Sequence, residues 1–261
     1  MQTVTSHDGT TIAYDRSGTG PALILVGGAF QQREDQLFGT LVALLAPHFT
    51  LITYDRRGRG GSGDTLPYAV EREVEDLAAL VTAVGGSAYV FGNSSGGNLA
   101  LEAAARKLPI TKLALYESPF TVDDGQPREP DDFATQLTAL LAQGRRGDAV
   151  EHFLTKAVGI PAEVVAQMRH APMWPGMEAI APTLAYDTAL SRDATLLTER
   201  APTVTIPSLV LYGGASPAWA SNSAQAAVDA LPNAQSRALE GQTHNVSADA
   251  LAPVLNEFFV Q

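Results

Sequence analysis

Apolar residues fall into short, nearly continuous runs, each bounded by Gly, Pro or Asp: Ala22 to Val26, Thr50 to Tyr54, Ala88 to Phe91, Lys112 to Tyr116 and Ser208 to Tyr212. Runs of this length without polar alternation suit strands buried on both faces, as in a parallel sheet. Between them the apolar spacing is helical, over Asp35 to Leu45, Val70 to Val84, Ser95 to Arg106, Ala218 to Leu231 and Ala248 to Phe259, and a last strand is expected at Gln235 to Leu239. Strands alternating with helices imply a doubly wound α/β sheet. At the start of the chain, Thr3 to Thr5 and Thr10 to Tyr14, separated by Asp8-Gly9, predict an antiparallel hairpin leading into that sheet.

The alternation stops between Phe120 and Thr205. Helical patterns at Phe133 to Gln143, Asp148 to Ala157 and Pro161 to Met168 follow one another there, and Pro127, Pro130, Pro172, Pro175, Pro182 and Pro202 supply the breaks, because proline cannot donate the bond a helix interior requires. The expected organisation is a core domain of residues 1–119 and 204–261 with a helical cap, residues 120–203, inserted into it.

Composition narrows the function. At 261 residues the chain can bury a large core. Its 28 acidic against 17 basic residues leave a net charge of −11, which repels polyanions and offers no basic stripe for nucleic acid. Without cysteine there is no disulfide, no thiolate catalysis and no Cys-ligated zinc. The first residues form neither a basic nor an apolar leader region, and no apolar run approaches the roughly 18 residues of a membrane helix. The expectation is a soluble, cytoplasmic protein with no membrane partner.

One segment carries chemistry. Ala88-Tyr89-Val90-Phe91 runs directly into a helix through Gly92-Asn93-Ser94-Ser95-Gly96, a G-x-S-x-G nucleophile elbow between a strand and a helix. The turn is so tight that the residues two before and two after the nucleophile must be small, and Gly92 and Gly96 are. Ser94 would sit at the start of the following helix, whose dipole favours developing negative charge. A phosphate loop would need a G-K-S/T ending that this turn lacks.

A serine hydroxyl needs a base. Of the five histidines, His244 alone follows the last expected strand and precedes the final helix; His7, His48 and His152 read as surface or helix-end residues, and so does His170 unless it lines a substrate cavity. An oxyanion requires two backbone donors. Ser95, after the nucleophile, is one candidate, and Ala29, in Val26-Gly27-Gly28-Ala29-Phe30, is the other; Phe30 then becomes a candidate wall of the acyl pocket or packed core.

Over essentially its whole length the sequence resembles the α/β-hydrolase superfamily. Gly27-Gly28-Ala29 stands where that family usually has His-Gly-x, Asp55-Arg56-Arg57-Gly58-Arg59-Gly60-Gly61-Ser62 is similar to its D-x-R-G-x-G-x-S loop, and the elbow and terminal histidine follow in the family's order. The resemblance implies an α/β-hydrolase fold with a mostly parallel sheet, a chiefly structural role for Asp55 and Arg57, and acyl chemistry on Ser94, since an Asp nucleophile is absent.

The family's usual triad acid is missing: Gly213-Gly214-Ala215-Ser216-Pro217 puts Ser216 at that place. Three readings compete. Some family members carry the acid on the preceding strand, where Glu117 ends Leu115-Tyr116-Glu117, with Asp123, Asp124 and Asp187 as further candidates. Otherwise Ser94 and His244 form a dyad oriented by Ser216 or a water, or hydrolysis has given way to binding, cyclisation or proton transfer. Within the cap, Met168, Met173, Trp174, Met177 and Tyr186, with Trp219 beyond it, would line an apolar cavity or form cap core. The reading reached is a cofactor-independent serine hydrolase of the carboxylesterase type. It takes a small to medium apolar ester, thioester or lactone through an acyl-enzyme, using Ser94, His244 and Glu117. Non-hydrolytic acyl transfer, cyclisation or lyase chemistry and non-catalytic binding of a small molecule are the alternatives.

Overall fold

The computed structural model describes residues 1–122 and 132–261. Eight strands form one sheet: β1 (Gln2–Thr5), β2 (Thr11–Ser17), β3 (Ala22–Val26), β4 (Thr50–Tyr54), β5 (Ala88–Asn93), β6 (Ile110–Tyr116), β7 (Ser208–Gly213) and β8 (Ala234–Leu239). Their spatial order is β1-β2-β4-β3-β5-β6-β7-β8, with β1 and β2 antiparallel to their neighbours and β3 to β8 parallel.

The continuous apolar runs reflect two buried faces. In β3, Ile24 and Val26 enter one apolar cluster while Leu23 and Leu25 enter the other; in β6, Leu113 and Leu115 oppose Ala114 and Tyr116 in the same way. Side chains alternate across a strand, so covering both sides demands an apolar residue at every position. Each fully buried Leu or Ile contributes roughly 1.5–3 kcal/mol. Helices α1 (Gln36–Leu45), α2 (Val70–Ala83) and α3 (Ser95–Ala105) lie among the first strands. Phe38, Leu41 and Leu45 place α1 on one face, whereas Leu77 and Leu99 place α2 and α3 on the other. Asp35 caps α1 by accepting from the Leu37 amide at 2.9 Å.

Between β6 and β7 the described residues form α4 (Phe133–Ala142), α5 (Arg146–Lys156), α6 (Ala162–Met168), α7 (Trp174–Ile180) and α8 (Leu184–Ser191), and no strand. Phe133, Leu137, Val150, Trp174 and Leu184 belong to a third apolar cluster, confined to these helices and the loop after β3. Leu190, Leu196, Leu197 and Ala201 instead join the cluster beneath the sheet, so the end of the insertion is anchored in the core. Pro127, Pro130, Asp123 and Asp124 lie outside the described residues. Helices α9 (Ala218–Ala230) and α10 (Ala248–Val260) complete the two layers, α9 on the side of α3 and α10 beside α1.

The chain leaves β3 in one direction toward β4 and resumes on its other side with β5. Such a switch point opens a crevice outside the carboxyl ends of the two strands, where ligands bind in open α/β sheets. The loop after β3 carries Ala29 and the turn after β5 carries Ser94.

Candidate active site

Ser94 occupies φ 53°, ψ −133°, a backbone region that an L-residue with a side chain rarely adopts. The surroundings impose it. The Ser94 amide donates to Tyr116 O at 2.8 Å, tying the turn to β6, while α3 begins at the next residue. A Cβ on Gly96 would come within 2.3 Å of Val26 O, and one on Gly92 within 2.5 Å of the Gly97 Cα, so neither position admits a side chain.

The loop after β3 lies directly against Ser94: a Cβ added to Gly28 would be 2.8 Å from Ser94 Cβ. Gln31 Oε1 accepts from the Gly28 amide at 2.8 Å and from Asn93 Nδ2 at 2.8 Å, which joins this loop to the elbow. The Ala29 and Ser95 amides belong to the two turns that meet at Ser94, and neither donates to another group among the described residues. Phe30 follows with φ 64° and packs edge-on against Phe153 of α5, ring centroids 5.7 Å apart.

His244 arrives from the loop between β8 and α10, whose path is set by two contacts: Tyr116 Oη donates to Thr243 O at 2.6 Å, and Gln242 O accepts from the Ala215 amide at 2.9 Å. Tyr116 thus holds both the Ser94 turn, through its carbonyl, and the His244 loop, through its hydroxyl. The His244 side chain is 39 % exposed, enough to meet a ligand. Its Nδ1 lies 2.7 Å from Glu117 Oε2.

Glu117, at φ 43°, immediately follows β6, and its side chain is fully buried. The other carboxylate oxygen, Oε1, accepts from the Gly213 amide at 2.8 Å and from Ser216 Oγ at 2.5 Å. Burial alone would raise its pKa; the hydrogen bonds from His244, Ser216 and Gly213 outweigh that and hold the carboxyl below its usual range. Ser216 therefore stands at the expected carboxylate position as a donor to the carboxylate, and the group against His244 Nδ1 is Glu117 rather than Ser216.

Asp187, a further candidate for the acid, is engaged elsewhere. It is buried on α8, where Arg56, Arg59 and Ser95 Oγ donate to it. Arg57 pairs with Asp76 and Asp8, and Asp55 accepts from the Arg33 and Gly61 amides, contacts that fold the loop after β4.

The aromatic residues separate in a way the sequence did not show. Trp219 sits beside His244, ring centroids 5.8 Å apart. Trp174 is buried in the insertion's own cluster with Nε1 on Glu178. Tyr186 stacks on Tyr68 at 3.7 Å and gives its hydroxyl to Asp64, closing the seam between α8 and the loop after β4. Trp174 and Tyr186 are thus buried against partners in the insertion and the loop after β4, whereas Trp219 lies beside His244. Met177 is also buried in the insertion's cluster, whereas Met173 and His170 are exposed.

Residues 22–256 match the model of the alpha/beta hydrolase family. The chain belongs to that family. Among solved structures, this family member is similar to an alpha/beta hydrolase from Sphaerobacter thermophilus, with 59 % identity, a TM-score of 0.92, and coverage of 99 % of this chain and 100 % of that one. An enol-lactonase from Burkholderia xenovorans shares the fold at 22 % identity and a TM-score of 0.73, covering all of both chains. Among curated proteins, a pimeloyl-[acyl-carrier protein] methyl ester esterase from Xanthomonas campestris pv. campestris is 39 % identical over 102 residues, 39 % of this chain and 38 % of that protein. An uncharacterized hydrolase from Bacillus subtilis, YraK, is 34 % identical over 102 residues, 38 % of this chain and 37 % of that protein. The matches to these curated relatives thus span less than two-fifths of their length. Among the described residues of this family member, no helix is long and apolar enough to cross a membrane, and no group of three or more His, Asp or Glu could hold a metal ion.

Proposed function

We propose that the protein is a serine hydrolase that cleaves a carboxylic ester, thioester or lactone of a small to medium apolar compound through an acyl-enzyme on Ser94. The observation that carries this reading is the 2.7 Å contact of the buried Glu117 carboxylate with His244 Nδ1, at the mouth of a sheet whose elbow presents Ser94. A carboxylate at Nδ1 keeps that nitrogen protonated, leaving Nε2 as the basic one. In this reading Nε2 takes the Ser94 proton as Oγ attacks the carbonyl carbon. The Ala29 and Ser95 amides hold the oxyanion, and the imidazolium, stabilised by Glu117, returns the proton to the departing alkoxide or thiolate. Water then repeats the sequence on the acyl-enzyme and frees the acid. Residues 120–203 would cover the site as a cap, with Phe30 and Trp219 on opposite sides of the bound acyl compound. The named activity of the Xanthomonas relative, on a methyl ester, agrees with this class.

The test combines fluorophosphonate labelling with p-nitrophenyl ester turnover for the wild type, Ser94→Ala and His244→Ala. Labelling confined to Ser94 and turnover abolished in both variants are expected. A wild type that neither labels nor turns over esters of several chain lengths would end the proposal.

A further inference from the structure

We propose that Asp187, on α8, is a positioning residue for both oxyanion amides, holding Ser95 directly and Ala29 through Arg59. The inference rests on the serine-hydrolase reading above and names what aligns that site.

Behind the loop after β3 lies a buried, charge-balanced cluster. Arg56 forks onto Glu73 through Nε and Nη2 at 2.6 and 2.7 Å, and its Nη1 reaches Asp187 Oδ1 at 2.6 Å. Arg59 Nη2 reaches Asp187 Oδ2 at 2.6 Å. All four side chains are at most 2 % exposed. Buried pairs of this kind cost desolvation that their mutual attraction need not recover, so stability alone is a weak reason for them. What the arginines do with their remaining donors is more telling. Arg59 Nη1 donates to Gly28 O at 2.6 Å, and Arg56 Nη1 to Gly27 O at 3.3 Å.

The Gly28 carbonyl and the Ala29 N–H belong to one planar trans peptide and point in opposite directions. Fixing the oxygen from behind therefore fixes the direction of the Ala29 hydrogen. Gln31 holds the preceding peptide by accepting from the Gly28 amide. Gly28 itself abuts Ser94, so the aimed amide lies beside the nucleophile.

The second donor is tied to the same carboxylate. Ser95 Oγ donates to Asp187 Oδ1 at 2.7 Å, which anchors the residue whose amide opens α3. Among the described residues Asp187 is the one side chain that touches both supports, Arg59 and Ser95, and it comes from the inserted helices. Burial would raise its carboxyl, but Arg59, Arg56 and the Ser95 hydroxyl outweigh this and keep it ionised. The geometry of the insertion is in this way transmitted to the oxyanion hole, so a shift of α8 would weaken transition-state binding without touching the acyl pocket.

The experiment compares wild type, Asp187→Asn and Ser95→Ala with a p-nitrophenyl ester, counting active sites by the p-nitrophenol burst. Per active site, kcat is expected to fall about 100-fold in Asp187→Asn and about 5-fold in Ser95→Ala with KM within about twofold, because an oxyanion donor acts in the transition state. The inhibition constant for phenylboronic acid, whose tetrahedral adduct needs the same amides, should rise in step with the loss of kcat. Merely structural damage would lower the burst amplitude and leave kcat per site unchanged. That result, or a loss confined to KM, overturns the proposal. Should Asp187→Asn fail to fold, Ser95→Ala carries the test by itself, since it removes one oxygen and leaves the ion cluster intact. An active wild type with unaffected variants refutes this inference alone, whereas an inactive, unlabelled wild type removes the hydrolase reading and this inference with it.

Discussion

At Glu117 the two carboxylate oxygens serve different partners, and glutamine in the same shape can serve only one of them. Oε1 accepts from the Gly213 amide and Ser216 Oγ. The Gly213 N–H belongs to β7 and can only donate, so in Glu117→Gln the carbonyl oxygen must take that side. The amide nitrogen then faces His244 Nδ1, 2.7 Å away in the wild type. It can donate there only if the ring proton moves to Nε2, which leaves His244 unable to accept the Ser94 proton. The imidazolium of the transition state also loses a buried counter-charge, and a unit charge at about 4 Å is worth roughly 4 kcal/mol at an effective dielectric of about 20. A wrong-tautomer carboxylate-to-amide exchange in a serine triad costs about 10⁴ in kcat, so a fall of about 10³–10⁴, or about 4–5.5 kcal/mol, is expected here. Steady-state turnover of a p-nitrophenyl ester gives kcat, with KM within about twofold of wild type. The rate of fluorophosphonate labelling should fall in parallel, while near-UV circular dichroism reports an unchanged fold. A variant whose kcat stays within about threefold of wild type would refute the assignment of Glu117 as the group that orients and charge-stabilises His244.

Four other outcomes follow from the same geometry. Adding Ser216→Asp to Glu117→Gln returns a carboxylate to the family's usual position and should recover at least about tenfold in kcat over the single variant, measured by the same ester assay. Gly28→Ala would set a Cβ 2.8 Å from both Ser94 Cβ and Asn93 O; displacing the loop should cost about 10²–10³ in kcat, the price of one oxyanion donor, with thermal stability lowered by about 1–3 kcal/mol. Tyr116→Phe removes the hydroxyl that holds Thr243 O and should cost about 1 kcal/mol in urea denaturation and several-fold in kcat, because the histidine loop loosens. The Glu117 carboxyl is held below its ordinary value of 4.5 in the folded state, so the unfolded chain takes up that proton at higher pH. The stabilisation is complete above the unfolded value and is lost as pH falls through the lowered folded one. Calorimetry should therefore show the wild-type advantage in Tm over Glu117→Gln shrinking as pH drops below about 4.5, and an advantage that grows instead would contradict the sign.

What the sequence determined by itself was local. The run from Ala22 to Val26 specifies β3 because continuous apolar residues are needed where both faces are covered, and the small residues around Ser94 specify the elbow because the turn excludes a Cβ. The position of His244, between the last strand and the final helix, was legible for the same reason: a strand, a loop and a helix each leave a short-range signature. Only the tertiary structure decided which carboxylate lies against its Nδ1. Glu117 and His244 are 127 residues apart, and the parallel pairing of β6 with β7, which sets Glu117 against Gly213 and Ser216, has no trace in the spacing of either segment. The same holds for Asp187, whose partners Arg56 and Arg59 lie 131 and 128 residues away, and for Trp174 and Tyr186, whose aromatic character says nothing about the side they face. Periodicity and turn sterics act within a few residues; buried charges and rings find their partners only when the sheet and the inserted helices have closed around them.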